Sequence, residues 1–504
     1  MLKNKIKFLL SIVALGSVLL TGCKKYLDIN QNPNLPLSSA VGLQLTTSEL
    51  YIGNALGDRI FPIVNVWSQY YTGGPGVALG DWDRNAMNTS DGNSAFNNMY
   101  RSMTNLDYII KRGSATDSLY YAMAEILKAY NTQVVADLFG DVPFTEALKG
   151  DIADGFVVAP KYDDAATVVY PGIESLLVDA VRILNEYDAH PNGTYTVPGE
   201  EDLIFNGEMY KWLQFGNSLL LKLYIREGSA ASQAKFAALY NDFIEPTGYY
   251  IGTNADMANI PYPGGPQGSN PFWNSSNSSI GNYFVGSKTT IDYLLGTSDP
   301  RIDAFFEPSG TGTHLGLKQG DVENWSPPTS FSTPNGAADN VDGGLIFGPA
   351  KPVILMSAWE ANLILAEASA RGWIGVVADA STFYEGAVNA SFDYLGVAGA
   401  TGYLTGGGAL NTTTTAATLK SIALQKWVSM NGLQPVESWI ETRRVDNAAN
   451  PIFASPGGIF VSPTQNELSG GQFPSILYYP QTEQDLNPNA PPQNVLTGKV
   501  FWDN

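Results

Sequence analysis

Cys23, His190 and His314 are the only cysteine and the only histidines among 504 residues, so little nucleophilic, acid–base or metal chemistry is open to this chain. Each histidine lies in loop-like sequence beside Gly or Pro, and neither has a partner at i+3 or i+4 that would suggest a metal site. "GNYFVGSKT" (Gly281–Thr289) approaches a phosphate-binding loop, but Ser287 separates Gly286 from Lys288 and breaks the required spacing. "DNVDGG" (Asp339–Gly344) offers oxygen ligands in a tight turn, yet Val341 stands where a calcium loop needs an acid or amide, and a solvated turn explains it better. In "GDWDRN" (Gly80–Asn85), Asp81 and Asp83 flank Trp82. Carboxylates that act on a glycosidic bond stand about 5 Å or more apart on different elements, so adjacency in sequence argues nothing. No catalytic residue, metal or cofactor is expected.

Binding chemistry is better represented. The chain carries 26 Tyr, 22 Phe and 10 Trp, and an aromatic face covers the C–H face of a sugar or an apolar side chain. Burying about 100 Å² of apolar area contributes roughly 2.5 kcal/mol, so two such platforms with a few polar contacts reach about micromolar to millimolar affinity. Trp67, Tyr71, Trp82, Trp273, Tyr283 and Trp325 sit in loop-like sequence and are the candidate ligand platforms. Trp212, Trp359 and Trp427 fall on helical apolar stripes and belong in a core.

The elements that must hold these side chains are helices. Leu119, Met123, Ile126, Tyr130, Val134 and Leu138 recur at helical spacing, with Gly140 placed to close the helix and Pro143 to stop it resuming. Met209, Trp212, Gly216, Leu219 and Leu223 trace a second stripe, in which Gly216 lets a neighbouring helix approach closely. Further stripes run through Met356, Trp359, Leu363, Ala366 and Ala370, through Tyr384, Val388, Phe392 and Leu395, and through Leu419, Ala423, Trp427 and Met430. Pro435–Val445 reads as a short helix opened by proline. Paired helices with small residues at their crossings suggest stacked helical hairpins of the tetratricopeptide kind, although no exact 34-residue signature is present. The predicted fold is mostly α, with helical regions at about 38–250 and 355–447, a loop-rich excursion at 252–350 and an irregular tail at 448–504. The excursion is dense in Gly, Pro, Asn and Ser but keeps its aromatics, which predicts order.

The N-terminus and the charge narrow the setting. Lys3, Lys5 and Lys7 precede a short apolar run from Phe8 to Leu20, which suits an export signal and is too short for a membrane span of about 20 residues. Leu20, Thr21, Gly22 and Cys23 resemble the lipobox of bacterial lipoproteins, which implies removal of residues 1–22 and lipidation of Cys23. The exported chain then has no thiol left for a disulfide and depends on its core. Loss of the three signal lysines takes the net charge from −20 to −23, a balance that repels nucleic acid and anionic headgroups.

A series of segments gives these features a family context. "CKKYLDINQNP" from Cys23, "DLFGDVPFTEA" from Asp137, "WLQFGNSLLLKLYIR" from Trp212 and "SDPRIDAFF" from Ser298 are followed by "WEANLILAEASARGW" from Trp359. "QKWVSMNGLQPVESWIETRR" from Gln425 and "YYPQTEQDLNPN" from Tyr478 complete it. In this order the chain resembles the SusD/RagB family of outer-membrane nutrient-binding lipoproteins, in its SusD-like branch. The resemblance implies a single domain over 23–504, with tetratricopeptide-like helix pairs in a right-handed superhelical scaffold against an irregular ligand-facing half. It implies capture of oligosaccharide or peptide cargo at the cell surface and service as a lid on a SusC-type TonB-dependent transporter barrel, with the lipid in the outer membrane. The quoted segments read as scaffold: Asp141, Pro143 and Glu146 as caps and turns, Arg443 and Arg444 as cations suited to a helix C-terminus. An exported polysaccharide hydrolase and a helical adaptor that binds only proteins remain the alternatives.

Overall fold

Helices form where the apolar stripes predict them, and local signals set their ends. The structure, a computed structural model, describes residues 40–74, 81–112, 117–265, 268–276, 283–321, 323, 326, 328–337, 343–375 and 379–503. Val41–Gly57 (α1), Ile60–Trp67 (α2), Asn93–Arg112 (α3), Ser118–Phe139 (α4), Tyr170–Ala189 (α5), Met209–Glu227 (α6) and Ala230–Leu239 (α7) make the first helical region. Lys288–Gly296 (α8) lies in the excursion, and Ala358–Ala370 (α9), Asp379–Leu395 (α10), Thr415–Ser429 (α11) and Pro435–Arg444 (α12) make the second region. Gly140 closes α4 at φ 87°, its N–H donating to the Ala136 carbonyl. Ser357 caps α9 by accepting from the Glu360 N–H, Thr414 caps α11 through the Ala417 N–H, and Pro435 opens α12.

The helices stack on their sequence neighbours. α1 packs on α3, α3 on α4, α4 on α5 and α5 on α6; in the second region α9 packs on α10 and α11. Gly216 shows why a small residue is needed in α6: a Cβ there would lie 2.9 Å from Val181 on α5 and 3.3 Å from Ile126 on α4. The two regions meet where α9 packs on α6 and α12 on α2. α9 is buried along its whole length and α4 along nearly all of it, so these are central helices rather than one-sided surface ones. Met356 departs from the helical reading: it ends a strand, and the Ser357 cap starts the helix one residue later.

The excursion supplies short strands and aromatic filling. Tyr71–Gly73 (β1) pairs antiparallel with Phe284–Gly286 (β3), Ala258–Ile260 (β2) with Val353–Met356 (β6), and Phe306–Glu307 (β4) with Thr333–Pro334 (β5). Phe272, Phe284, Phe306 and Phe347 from the excursion pack on Phe61 and Tyr71 in one buried cluster. These loops are therefore the second wall of the core.

The core also contains charge. Arg226 on α6 meets Asp137 on α4 at 2.6 Å and Glu441 on α12 at 2.9 Å, and it bonds Glu437. Lys222 bridges Glu360 on α9 at 2.6 Å and Glu437 at 3.3 Å. Lys426 on α11 meets Glu441 at 2.8 Å, while Arg444 joins Glu441 at 2.8 Å to Glu367 at 2.5 Å. Arg371 completes the set at 2.8 Å from Glu367. Five carboxylates thus face five cations, and the network is neutral as a whole.

The network sets two stability predictions. Removing one partner from a buried pair strands the other charge and costs about 3–5 kcal/mol. Arg226→Met should lose about that much by chemical denaturation, whereas Arg182→Met, at an exposed pair, should keep the parent's denaturation midpoint. Burial alone would raise Glu367, but the Arg444 and Arg371 guanidiniums outweigh it and hold the carboxyl at about 2; burial of Glu437 and Glu441 is likewise outweighed by their cationic neighbours. A carboxyl with a depressed folded value contributes stability above its unfolded value of about 4.3 and loses it as pH falls through the folded value. Burial pushes Asp137 and Glu360 the other way and partly offsets this. Glu367→Gln should melt lower than the parent at pH 7 and lose less of its melting temperature between pH 4.5 and 2.

Candidate functional site

The six aromatic candidates separate by position. Trp67 ends α2 at 3% exposure, its Nε1 donating to the Trp82 carbonyl at 3.1 Å and its ring lying 5.3 Å from Trp439. Tyr71 in β1 is 1% exposed within the phenylalanine cluster. Trp82 is 3% exposed, donates to Asp91 at 3.0 Å and carries the Arg59 guanidinium over its ring at 4.4 Å. Trp273 is buried beside Gly343. None of these four presents a free face, which corrects the expectation of solvent-facing platforms there. The physical reason is that this loop-like sequence forms short helices and strands that cover the core, Trp67 in α2 and Tyr71 in β1 among them, and their large rings bury roughly 150–250 Å² apiece by filling it. Tyr283, 42% exposed where the chain enters β3, does face solvent. Trp325 and Cys23 lie outside the described residues. Trp212, Trp359 and Trp427 are core residues, as their stripes require.

The polar groups singled out in the sequence are engaged locally. Asp141 accepts from the Ala165 N–H at 2.8 Å and Glu146 from the Lys161 N–H at 2.9 Å, which are turn contacts. Asp81 pairs with Arg84, and Asp83 is buried. Lys288 of the near-phosphate loop pairs with Asp292 at 2.6 Å. Most of the Asp339–Gly344 turn lies outside the described residues. Among the described residues no cluster of three His, Cys, Asp or Glu side chains is placed to hold a metal.

One arrangement imitates a hydrolase. His314 stands between Asp303, 2.7 Å from Nε2, and Ser332, 3.2 Å from Nδ1. The exposures run opposite to what nucleophilic catalysis needs: Ser332 is 0% exposed and the Asp303 side chain 79%. The Ser332 hydroxyl also accepts from the Leu315 N–H at 3.1 Å, so it ties a loop together.

The C-terminal tail builds a cleft that the sequence reading did not identify. Asp446, just past α12, accepts from the N–H groups of Ile452, Phe453 and Ser455 at 2.7, 3.1 and 2.6 Å and folds the tail back. The tail then crosses the Trp67–Trp439 pair and encloses about 360 Å³. Phe460 and Phe473, 6.1 Å apart and both half-buried, form its aromatic side; Asp446, Arg443, Lys499 and Asp503 form its polar side. Arg443 lies 4.0 Å from the Trp439 ring and 5.0 Å from Trp502, and donates to the carbonyls of Ser475, Asp137 and Trp439. Burial pushes this guanidinium down to about 10 and pushes the Asp503 carboxyl up. Among the described candidates Trp67 alone borders the cleft. Phe460 and Phe473 carried the signal used for the excursion, aromatics in Pro- and Gly-rich sequence, but they lie in the tail. Apolar ring faces beside the donors and acceptors of Arg443, Asp446, Lys499 and Asp503 suit a hydroxyl-rich or amide-rich ligand.

Comparison with known proteins agrees with this architecture. A SusD-like family model described as starch-binding and associating with the outer membrane matches residues 50–480. A chitin-binding SusD homolog from Flavobacterium johnsoniae has a similar structure at 20% identity and TM-score 0.72, over 92% of this chain and 98% of that one. A chitin-binding protein matches at 22% identity and TM-score 0.71, over 92% and 100%. A SusD-like protein from Bacteroides thetaiotaomicron matches at 20% identity and TM-score 0.71, over 92% and 99%. No protein with a curated description matches in sequence. With most of its length matched by the family model and its helices stacked in the same fold, the chain belongs to the SusD-like family.

Proposed function

We propose that this protein captures oligosaccharide at the outer surface of the outer membrane and delivers it to a SusC-type TonB-dependent barrel that it covers as a lid. The observation that carries the reading is the tail cleft, where the Phe460 and Phe473 rings oppose charged and amide groups on a rigid helical support. Family membership supports the carbohydrate class, and two similar structures are of chitin-binding proteins. Peptide cargo is the second arm of the same experiment, because an aromatic face accepts either. Tyr283 is proposed as a separate contact on the loop-rich face. The mature chain is proposed to run as one domain from Cys23, whose acyl chains hold it to the membrane after export. No helix among the described residues is long and apolar enough to cross a membrane, so attachment in this reading rests on the lipid.

Binding without turnover is the expected behaviour. Titration calorimetry against a panel of oligosaccharides and peptides, with product analysis of the same samples, should show micromolar to millimolar binding and no cleavage. Phe473→Ala and Lys499→Ala should each weaken oligosaccharide binding about tenfold with the melting temperature unchanged, and Ser332→Ala should leave binding intact. Equal affinity in the parent and both cleft variants would remove the cleft from the account, and cleavage products would restore the hydrolase reading.

A further inference from the structure

α12 borders a second cleft. About 280 Å³ is enclosed between α11, α12 and the turn at 446–453, and Thr442 borders both this space and the tail cleft. Its floor is Ile422, Trp427 and Met430, all buried, and Ala423, Ile452 and Phe453 add apolar walls. Thr415, Ala416 and Arg371 are exposed and mark the mouth.

Two features fix what could enter. Every charged group lining the space is already paired: Lys426 with Glu441 at 2.8 Å, and Glu367 with Arg371 at 2.8 Å as well as with Arg444. An ionised ligand would lose its hydration without gaining a counter-charge, so the occupant is uncharged. The walls are also held open in advance. Asn450 donates to the Ala416 carbonyl at 3.2 Å and Lys420 to the Pro451 carbonyl at 2.8 Å, so the turn is pinned to α11 across the opening. An apolar cavity of about 150 Å³ accepts benzene, and this one is nearly twice that volume. Unfilled apolar walls forgo dispersion contacts that a flat ligand would restore.

We propose that this cleft is a separate binding site for an uncharged apolar group of about two fused rings, an aryl or compact alkyl moiety. The site is separate from the carbohydrate reading, since its lining shares only Thr442 with that of the tail cleft.

Titration of the full chain with 2-naphthol by calorimetry tests the site. Saturable binding of one equivalent is expected, weakened at least tenfold in Ala423→Leu and in Leu419→Trp, each of which adds bulk to the lining. Ala423 is buried, whereas Leu419 is half-buried near the mouth, so the second variant keeps the test sound if the first folds poorly. Oligosaccharide titration of both variants should match the parent, which separates this site from the tail cleft. Absence of saturable naphthol binding to the parent, or undiminished binding in both folded variants, overturns the proposal.

Discussion

The fold turns on the carboxylate of Asp137. It takes the Arg226 guanidinium on one oxygen and, on the other, the Tyr170 hydroxyl and the Trp502 indole N–H at 2.8 Å. One side chain on α4 therefore binds α6, the start of α5 and the last turn of the chain. From Arg226 the network runs through Glu437 and Glu441 on α12 to Lys222, Lys426 and Arg444, and from these to Glu360 and Glu367 on α9. Desolvating so many charges is costly, and a well-packed apolar set of equal volume often matches a buried ion pair in stability. The directional bonds instead favour one arrangement of five helices over competing ones. A shift of any helix would leave a charge without its partner in a dry interior.

That constraint reaches the candidate site. Arg443 lies between Trp439 and Trp502, bonds the Asp137 carbonyl from one end and the Ser475 carbonyl from the other, and so fastens the tail to the buried network. Asp446 shapes the next turn of the same tail. The cleft between Phe473 and Lys499 is thus an irregular segment whose position is set by charged groups in the helical core. Pre-positioning lowers the ordering cost of binding, which suits a protein that must hold an oligomeric ligand by a few weak contacts and release it again.

Much of this was legible from residue spacing. The α4 and α6 stripes are buried as read and the α11 stripe is buried from Ala423 onward, Gly216 marks a close helix crossing, and Gly140 ends α4 in a positive-φ conformation. The quoted segments read as scaffold because they are scaffold: Asp137, Lys222, Arg226, Glu360, Glu367, Lys426, Glu437, Glu441 and Arg444 all fall within them and all join the buried network. Which carboxylate meets which cation was not legible, because those partners are separated by up to 215 residues and are chosen by packing. The burial of Trp67, Tyr71 and Trp82 was hidden for a related reason. Trp67 ends a short helix that is buried on every side, Tyr71 lies in a three-residue strand and Trp82 in a single helical turn, so none falls on the one-sided stripe that periodicity reports. Phe460 and Phe473 escaped notice because the tail has no period at all, and its course is set by Asp446, Ser475 and Trp502.

The most direct test of the account is a crystal structure of the protein with an oligosaccharide it binds, with the soaked material analysed for cleavage. An intact glycan is expected in the tail cleft against Phe460 and Phe473, with Arg443 still bonded to the Asp137 carbonyl. A glycan bound only elsewhere on the surface, or a cleaved product beside Ser332, would contradict it.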